Sequence, residues 1–441
     1  MRSARVLVAA GLVFGVPPAS RAEELKLTLG EALAMAEKAN PELLAAAARA
    51  EAQAARAESV RRQLWPRLGL SMGWSRMDLP AGVFANTLNS GAFTEGDFDV
   101  ARLNDPDAQS HLGTTLALEM PIDAFGRVRR MAEGQAALGD AAAASTRDAT
   151  QETRLRVVES YRRSELAGRA LEVTERALAV AQAREAEIEA RVDTGAALKA
   201  DLLRARARRR TREADLAERR SQRQIALAGL ARLLGAPAGT SYVPSEAPSA
   251  VTPLEGDEEA WVARALRQRP LLVSARRRAD AASSLAKAEK SAYWPELGVF
   301  GQLYDNRLQV SDGSQAWAVG VGLRWTPFDA SRGKREAAAL ADERAAGQDT
   351  RAAADQVRLE VAIAYRRGVS ARERHSAAAG GAEEGREALR VVQERRRAGM
   401  ATLTDELETE AEALSAALEE IAAAADVAIA DAALRRAAGE N

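Results

Sequence analysis

Apolar and polar positions along this chain follow two periods that alternate in blocks. Leu68, Leu70, Met72 and Trp74 alternate with Gly69, Ser71, Gly73 and Ser75. Leu112, Leu116, Leu118 and Met120 alternate with Gly113, Thr115, Ala117 and Glu119. Trp317, Val319, Val321, Leu323 and Trp325 do the same against Ala318, Gly320, Gly322 and Arg324. Period-two runs of about ten residues with aromatics near their ends predict β-strands of the membrane-spanning kind. Four are expected, at about 67–76, 111–121, 296–305 and 315–327. The third is the least regular, because Phe300 and Tyr304 fall out of phase with Leu297. Small residues on the second face suit a lumen better than the charged exterior of a soluble sheet.

Around these blocks the period lengthens to that of helices. Helical stretches are expected from Thr28 to Leu64 and from Glu258 to Tyr293, with Thr28 and Glu31 as a capping box. Trp65-Pro66 and Trp294-Pro295 end them, since proline breaks the helical ladder and keeps its predecessor out of the α region. After Pro121 and Pro327 come very long helical stretches, Asp123 to Gly195 and Asp329 to Gly399. At about 1.5 Å per residue each reaches about 105 Å. Leu171, Leu178, Ala181, Ile188 and Val192 follow a 3–4 spacing, a coiled-coil pattern with small knobs. A reversal at each glycine sends the chain back, over Leu198–Leu234 and Thr402–Ala438. Of the two strand connections, Ser75–Ser110 and Asp305–Gln315, the first is the longer loop, and its apolar Val83-Phe84-Ala85 has no evident role.

The chain is written twice. Residues 41–70 align with 270–299 at a constant offset of 229, with 11 of 30 positions identical, among them Pro41/Pro270, Leu43/Leu272, Trp65/Trp294, Pro66/Pro295 and Gly69/Gly298. Pro121-Ile122-Asp123 matches Pro327-Phe328-Asp329 at 206, and Tyr161-Arg162-Arg163 matches Tyr365-Arg366-Arg367 at 204. Gly195 with Asp201 matches Gly399 with Asp405, also at 204. The expected organisation is a leader at 1–22, a first repeat at 23–234 with its tip at 192–200, a connecting segment at 235–257, and a second repeat at 258–441 with its tip at 396–404. The same order of motifs in both parts, with the offset falling from 229 to 206 across the longer first strand connection and to 204 beyond it, is the mark of homologous halves.

Composition narrows the function. Aromatics are 4% and charged residues 28%, a balance that suits long helices packed through small residues. The net charge is −1 with both signs interspersed, so no basic face recommends nucleic acid. There is no cysteine, which excludes disulfides, thiolate metal sites and a lipidated N-terminal cysteine. Arg2 and Arg5 precede the apolar run Val6–Val16, and Ser20-Arg21-Ala22 offers a cleavage site, so residues 1–22 read as a secretory signal. No later stretch approaches the roughly 20 apolar residues of a membrane helix. A membrane-spanning mature chain must therefore form a closed barrel. Four strands leave two edges unpaired in lipid, so three copies must share a twelve-stranded wall.

The motifs together resemble the TolC family of outer-membrane efflux proteins across essentially the whole mature chain. They are Leu29-Gly30-Glu31-Ala32-Leu33 with Asn40-Pro41-Glu42, the two Trp-Pro-x-Leu junctions, Pro-x-Asp before each long helix, and the two Gly-x5-Asp turns. The resemblance implies a mixed, mostly α fold: a homotrimer whose 12-stranded β-barrel continues into a 12-helix periplasmic tunnel. It implies an outer-membrane location with a large periplasmic part, docking of a periplasmic membrane-fusion adaptor, and energy from an inner-membrane pump. Arg191, Thr194, Gly195, Arg397, Gly399 and Met400 would form the docking tips. Asp405, with Glu408 and Asp201, would line the constriction, where threefold acidic rings favour cations. Ala401 stands where some members carry a tip-locking arginine, so that lock does not transfer.

No catalytic constellation, phosphate loop or metal-spaced cluster accompanies His111 and His375, the two histidines, so neither an enzyme nor a cofactor is expected. The alternative reading is a soluble periplasmic coiled-coil adaptor, against which the paired alternating segments speak.

Overall fold

The computed structural model describes residues 24–237, 240–246, 251–309 and 312–440; the expected leader at 1–22 lies outside them. The first repeat opens with β1 (Glu24–Leu27) and α1 (Leu29–Ala39), whose capping box joins Thr28 and Glu31. Asn40 then takes an extended conformation (φ −66°, ψ 120°) because Pro41 follows it, and Pro41 starts α2 (Pro41–Arg61). The single helix expected over 28–64 is thus two helices. A 3-10 turn leads to Trp65-Pro66 and then β2 (Arg67–Met77).

The connection after β2 is itself folded, carrying α3 (Pro80–Asn89) and α4 (Val100–Asn104) before β3 (Gln109–Ile122). Val83-Phe84-Ala85 belongs to α3, and Phe84, Phe93 and Phe98 meet edge to face at 5.1 Å. Pro121 lies within β3, opposite Gly298. The carboxylate of Asp123 accepts the amides of Val128 (3.1 Å) and Arg129 (2.8 Å) and so opens α5 (Arg127–Asp193). α5 reverses into α6 (Lys199–Leu233), and β4 (Ser241–Pro244) pairs in parallel with β1.

The second repeat follows the same grammar. Arg269-Pro270 splits α7 (Glu258–Gln268) from α8 (Pro270–Ser291), again dividing one expected helix. β5 (Glu296–Gln309) and β6 (Asp312–Arg324) form a tighter and longer hairpin than a 305–315 connection would allow. β6 also stops three residues short of the expected 327, because Pro327 has no amide for the ladder and Asp329 already folds back on Ser331. Then come α9 (Arg332–Arg397) and α10 (Leu403–Ala438). α5 and α9 hold 67 and 66 residues, which makes each about 100 Å long.

The four long strands form one antiparallel sheet in the order β2-β3-β5-β6. Paired residues share a face, so the register puts Leu68, Leu118 and Gly301 on one side and Arg67, Glu119 and Phe300 on the other. The first side is apolar and open: Leu70, Trp74, Trp317 and Val321 are each about 70% exposed. Phe300 and Tyr304, irregular in the sequence, lie on the second side, where Phe300 covers the bare backbone of Gly320 and the Tyr304 hydroxyl donates to Gln302. Neither β2 nor β6 has an outer strand partner among the described residues.

Below the sheet the helices pack through small side chains. The buried stripe of α5 is Ala170, Thr174, Ala177, Ala181 and Ile188, while Leu171, Leu178 and Val192 are half-buried beside it. The seam therefore runs one residue ahead of the larger leucines, and its alanines let the backbones approach closely. Thicker cores sit where each repeat closes. One holds Leu27, Ala36, Val157, Tyr161, Leu230 and Tyr242; the other holds Trp261, Ala265, Val357, Val361 and Leu434. Tyr161 ties the first together by donating to the Leu27 carbonyl at 2.9 Å and accepting the amides of Ser245 and Glu246.

Candidate tip site and channel wall

The far ends of the two helical hairpins come together. Each reversal is a glycine-closed helix end. Gly195 (φ +76°) donates to the Val192 carbonyl at 3.0 Å, and Gly399 (φ +74°) donates to that of Arg396 at 2.9 Å. A side chain at either glycine would meet nothing within 4 Å, so within one copy it is the left-handed backbone, not packing, that calls for glycine. Leu403 from the second tip packs on the Ile188, Leu202 and Ala205 cluster of the first.

Asp405 is exposed and sits in the first turn of α10. Its carboxylate accepts the Thr402 amide at 2.8 Å while the Thr402 hydroxyl accepts the Asp405 amide, a reciprocal cap. The Thr402 amide, and then its hydroxyl, hold the Asp405 carboxyl below its ordinary pKa, so it is charged near neutrality. Glu408 is exposed one turn on. Asp201 occupies the matching place in α6 and pairs with Arg204 at 3.6 Å. Arg191 reaches Glu187 at 3.7 Å, the Thr194 hydroxyl caps the Arg191 carbonyl at 3.1 Å, and Arg397 and Met400 are exposed.

Sequence reasoning missed the strongest electrostatic feature here. Glu406 is buried, 2% exposed, between Arg184 of α5 and Arg396 of α9, with an ion pair to each. One carboxylate thereby ties both hairpins together. One turn on, burial raises the pKa of Glu410, while Arg212, Arg208 and Arg184 pull it back down. In the sequence Glu406 is one acid among many; its partners lie 222 and 10 residues away, and only the packing of α5 against α10 brings them together. Leu198 was missed too. It starts α6 without a polar cap and is 70% exposed at the tip.

At the other end of the helices the Trp-Pro junctions form an aromatic collar. Trp294 stacks on Phe125 at 5.2 Å, Arg62 lies over Trp65 at 5.7 Å, and the Trp325 indole donates to the Tyr293 carbonyl at 3.2 Å. Trp65, Trp294 and Trp325 are all more than half exposed. Amphipathic rings at the foot of an apolar sheet face match a membrane–water boundary. Among the described residues no helix is long and apolar enough to cross a membrane.

The family profile described as "Outer membrane efflux protein" matches residues 32–236 and 261–440, both repeats almost entire. The chain belongs to the outer membrane efflux protein family. This efflux protein also shares its fold with solved channels. The outer-membrane channel OprN is 24% identical with a TM-score of 0.78 and covers 96% of this chain and 94% of its own. The Campylobacter jejuni CmeC outer membrane channel is 16% identical with a TM-score of 0.80, covering 99% and 94%. The open state of the Neisseria gonorrhoeae MtrE outer membrane channel is 20% identical with a TM-score of 0.75, covering 93% and 89%. No curated protein sequence matches the chain. The family and the fold are those of export channels, not of enzymes.

Proposed function

We propose that three copies of this efflux protein close a twelve-stranded barrel in the outer membrane and continue it as a periplasmic tunnel, through which solutes pass without chemical change. The observation that carries this reading is the four-stranded sheet. It has one bare apolar face and two unpaired edges, which lipid does not tolerate in a single copy. Leu44, Ile225 and Leu359 on the helices are also more than half exposed in one copy, and neighbouring copies would cover them. Residues 1–22 would direct export.

The tips would dock a periplasmic adaptor that links the tunnel to an inner-membrane pump. Arg191, Thr194, Gly195, Arg397, Gly399 and Met400 would supply the polar and backbone surface, with Leu198 and Met400 as apolar anchors. Asp405 and Glu408, repeated by threefold symmetry, would set an acidic constriction that favours cations. The Glu406 clamp would hold the tip narrow, because spreading the hairpins must separate its carboxylate from Arg184 of α5.

Reconstitution in a planar bilayer tests the reading. Long-lived conductance steps of one uniform size are expected, larger in a Glu406→Ala protein whose clamp is gone. Protein that assembles but passes no ions, with or without the clamp, would overturn it.

A further inference from the structure

At the foot of the sheet two guanidiniums have no partner among the described residues. Strand alternation sets Arg67 with Gly69 and Ser71, opposite the apolar Leu68 and Leu70, and sets Arg324 with Gly322 and Gly320, opposite Leu323 and Val321. Both arginines thus lie on the face turned away from lipid. Both are exposed, and neither makes a side-chain hydrogen bond or ion pair among the described residues. They line a cavity of about 850 Å³ where the sheet meets the start of α5, together with Glu119, Arg127, Glu296 and Gln302.

The acids nearby are mostly spoken for. Glu296, directly across from Arg324, is held by Arg127 at 2.6 Å. Asp123 is held by the amides that open α5. Glu119, across from Arg67, is exposed and unpaired. Among the described residues each copy therefore offers two unpaired guanidiniums against one unpaired carboxylate, with Asp123 still charged but turned to the amides of α5.

Position in the sheet concentrates these cations. Arg67 begins β2 and Arg324 ends β6, the two open edges. The inference rests on the threefold barrel proposed above, in which β2 of one copy pairs antiparallel with β6 of the next. Inside the sheet the helix-side strand ends are staggered by three residues at most: Arg67 faces Glu119, three short of Ile122; Ile122 faces Leu297, one inside Glu296; and Glu296 faces Arg324. A seam with the same stagger leaves Arg67 and Arg324 of adjoining copies within about 10 Å along the strands.

We propose that Arg67 and Arg324 of adjoining copies form an anion-binding girdle at the base of the barrel lumen, which takes phosphate- or carboxylate-bearing solutes. Guanidinium forks bind such groups bidentately, and the seams bring six unpaired forks together, while Glu296 is held by Arg127 and Asp123 by the amides of α5, which leaves Glu119 as the competing carboxylate. The girdle opposes in sign the acidic ring at the tips, so it governs a second step of passage.

Single-channel recording with inorganic tripolyphosphate on the barrel side tests it. The wild-type current is blocked, and the block weakens at high salt because screening shortens the reach of the charges. In the Arg67→Gln, Arg324→Gln protein the half-blocking concentration rises about tenfold or more, as expected when charge-assisted contacts are lost. Glu119→Gln, which removes the unpaired competing carboxylate, tightens the block and serves as a second reading should the double variant fail to insert. An unblocked wild type, or equal block in wild type and both variants, overturns the girdle. Absence of any conductance removes the threefold reading first and the girdle with it.

Discussion

Asn40 and Arg269 occupy the same place in the two repeats, one residue before the proline that starts the second helix, and each donates to the last turn of its own repeat's final helix. The Asn40 amide reaches the Leu233 carbonyl at 2.8 Å, and Arg269 reaches the Arg436 carbonyl. Asn40 also caps α2 through the amides of Glu42 and Leu43. Arg269 has no such cap to make. It is fully buried, and its second arm lies 3.4 Å from Asp148 and 3.3 Å from Glu360, while Arg436 bonds Glu360 at 2.7 Å and Glu152 at 3.0 Å. The second repeat therefore closes through buried charge, and through it onto α5 of the first. Replacing Asn40 by Ala should cost about 1–2 kcal/mol, the usual worth of a cap. Replacing Arg269 by Ala should cost more, about 2–5 kcal/mol, because it empties a fully buried site and removes the cation beside the partly buried Asp148 and Glu360. Thermal unfolding of the purified protein reads both, and equal costs would contradict the difference drawn here.

Four glycines divide by what surrounds them. Gly235 (φ +66°) and Gly439 (φ +82°) end the two repeats 204 residues apart, each against the corresponding helix junction. A side chain at Gly235 would overlap the Ala39 carbonyl, and one at Gly439 would come within 2.9 Å of the Arg269 amide. Alanine at Gly195 or Gly399 should cost about 1–2 kcal/mol for the left-handed conformation alone. Alanine at Gly235 or Gly439 should cost clearly more, and melting curves of the four variants give the order.

Asp405 carries a charge and a cap at once, and the two can be separated. Glutamine at that position can still complete a capping box but has no charge; alanine has neither. Cation selectivity, measured as a reversal potential across a salt gradient, should fall equally in Asp405→Gln and Asp405→Ala, while the early turns of α10 loosen to hydrogen exchange in Asp405→Ala only. Selectivity retained in Asp405→Gln would place the ring elsewhere.

The tip should respond to pH through Glu410. Its pKa is raised by burial, so its contribution to the packed tip is full below the unfolded value of 4.5 and fades as pH rises through the folded one. Asp405 acts the other way, since its depressed pKa keeps its contribution until acid pH is reached. Hydrogen exchange along α10 should therefore quicken as pH rises above 4.5, after correction for intrinsic rates, and Glu410→Gln should remove that dependence.

Most of the fold was legible in the sequence because the chain is built from periods. Alternation at Trp317–Trp325 and the glycines at 195 and 399 state strands and reversals directly. Breaks inside helices stood out less: Asn40-Pro41 and Arg269-Pro270 carry the same X-Pro signal as Trp65-Pro66 and Trp294-Pro295, but they sit within good helix-forming sequence with no strand pattern after them. The tip was only half legible. Glycine marks a turn through its own backbone, but Glu406 acquires its role from Arg184, and nothing local announces a contact between helices so distant in the chain.

The lipid face gives a direct contrast. Leu70→Arg or Val319→Arg would place charge in hydrocarbon at about 2–4 kcal/mol near the midplane. The neighbouring lumen-side change Ser71→Arg should be tolerated. Yield of heat-resistant assembly from outer membranes compares the three, and a sensitive Ser71 would reverse the assigned faces.

The sharing of one barrel wall by three copies is tested most directly by native mass spectrometry of the detergent-extracted protein. The account predicts a single species of three times the processed chain's mass, released as monomers only on unfolding. A monomer that stays dissolved without detergent and keeps its β-sheet signal would contradict it.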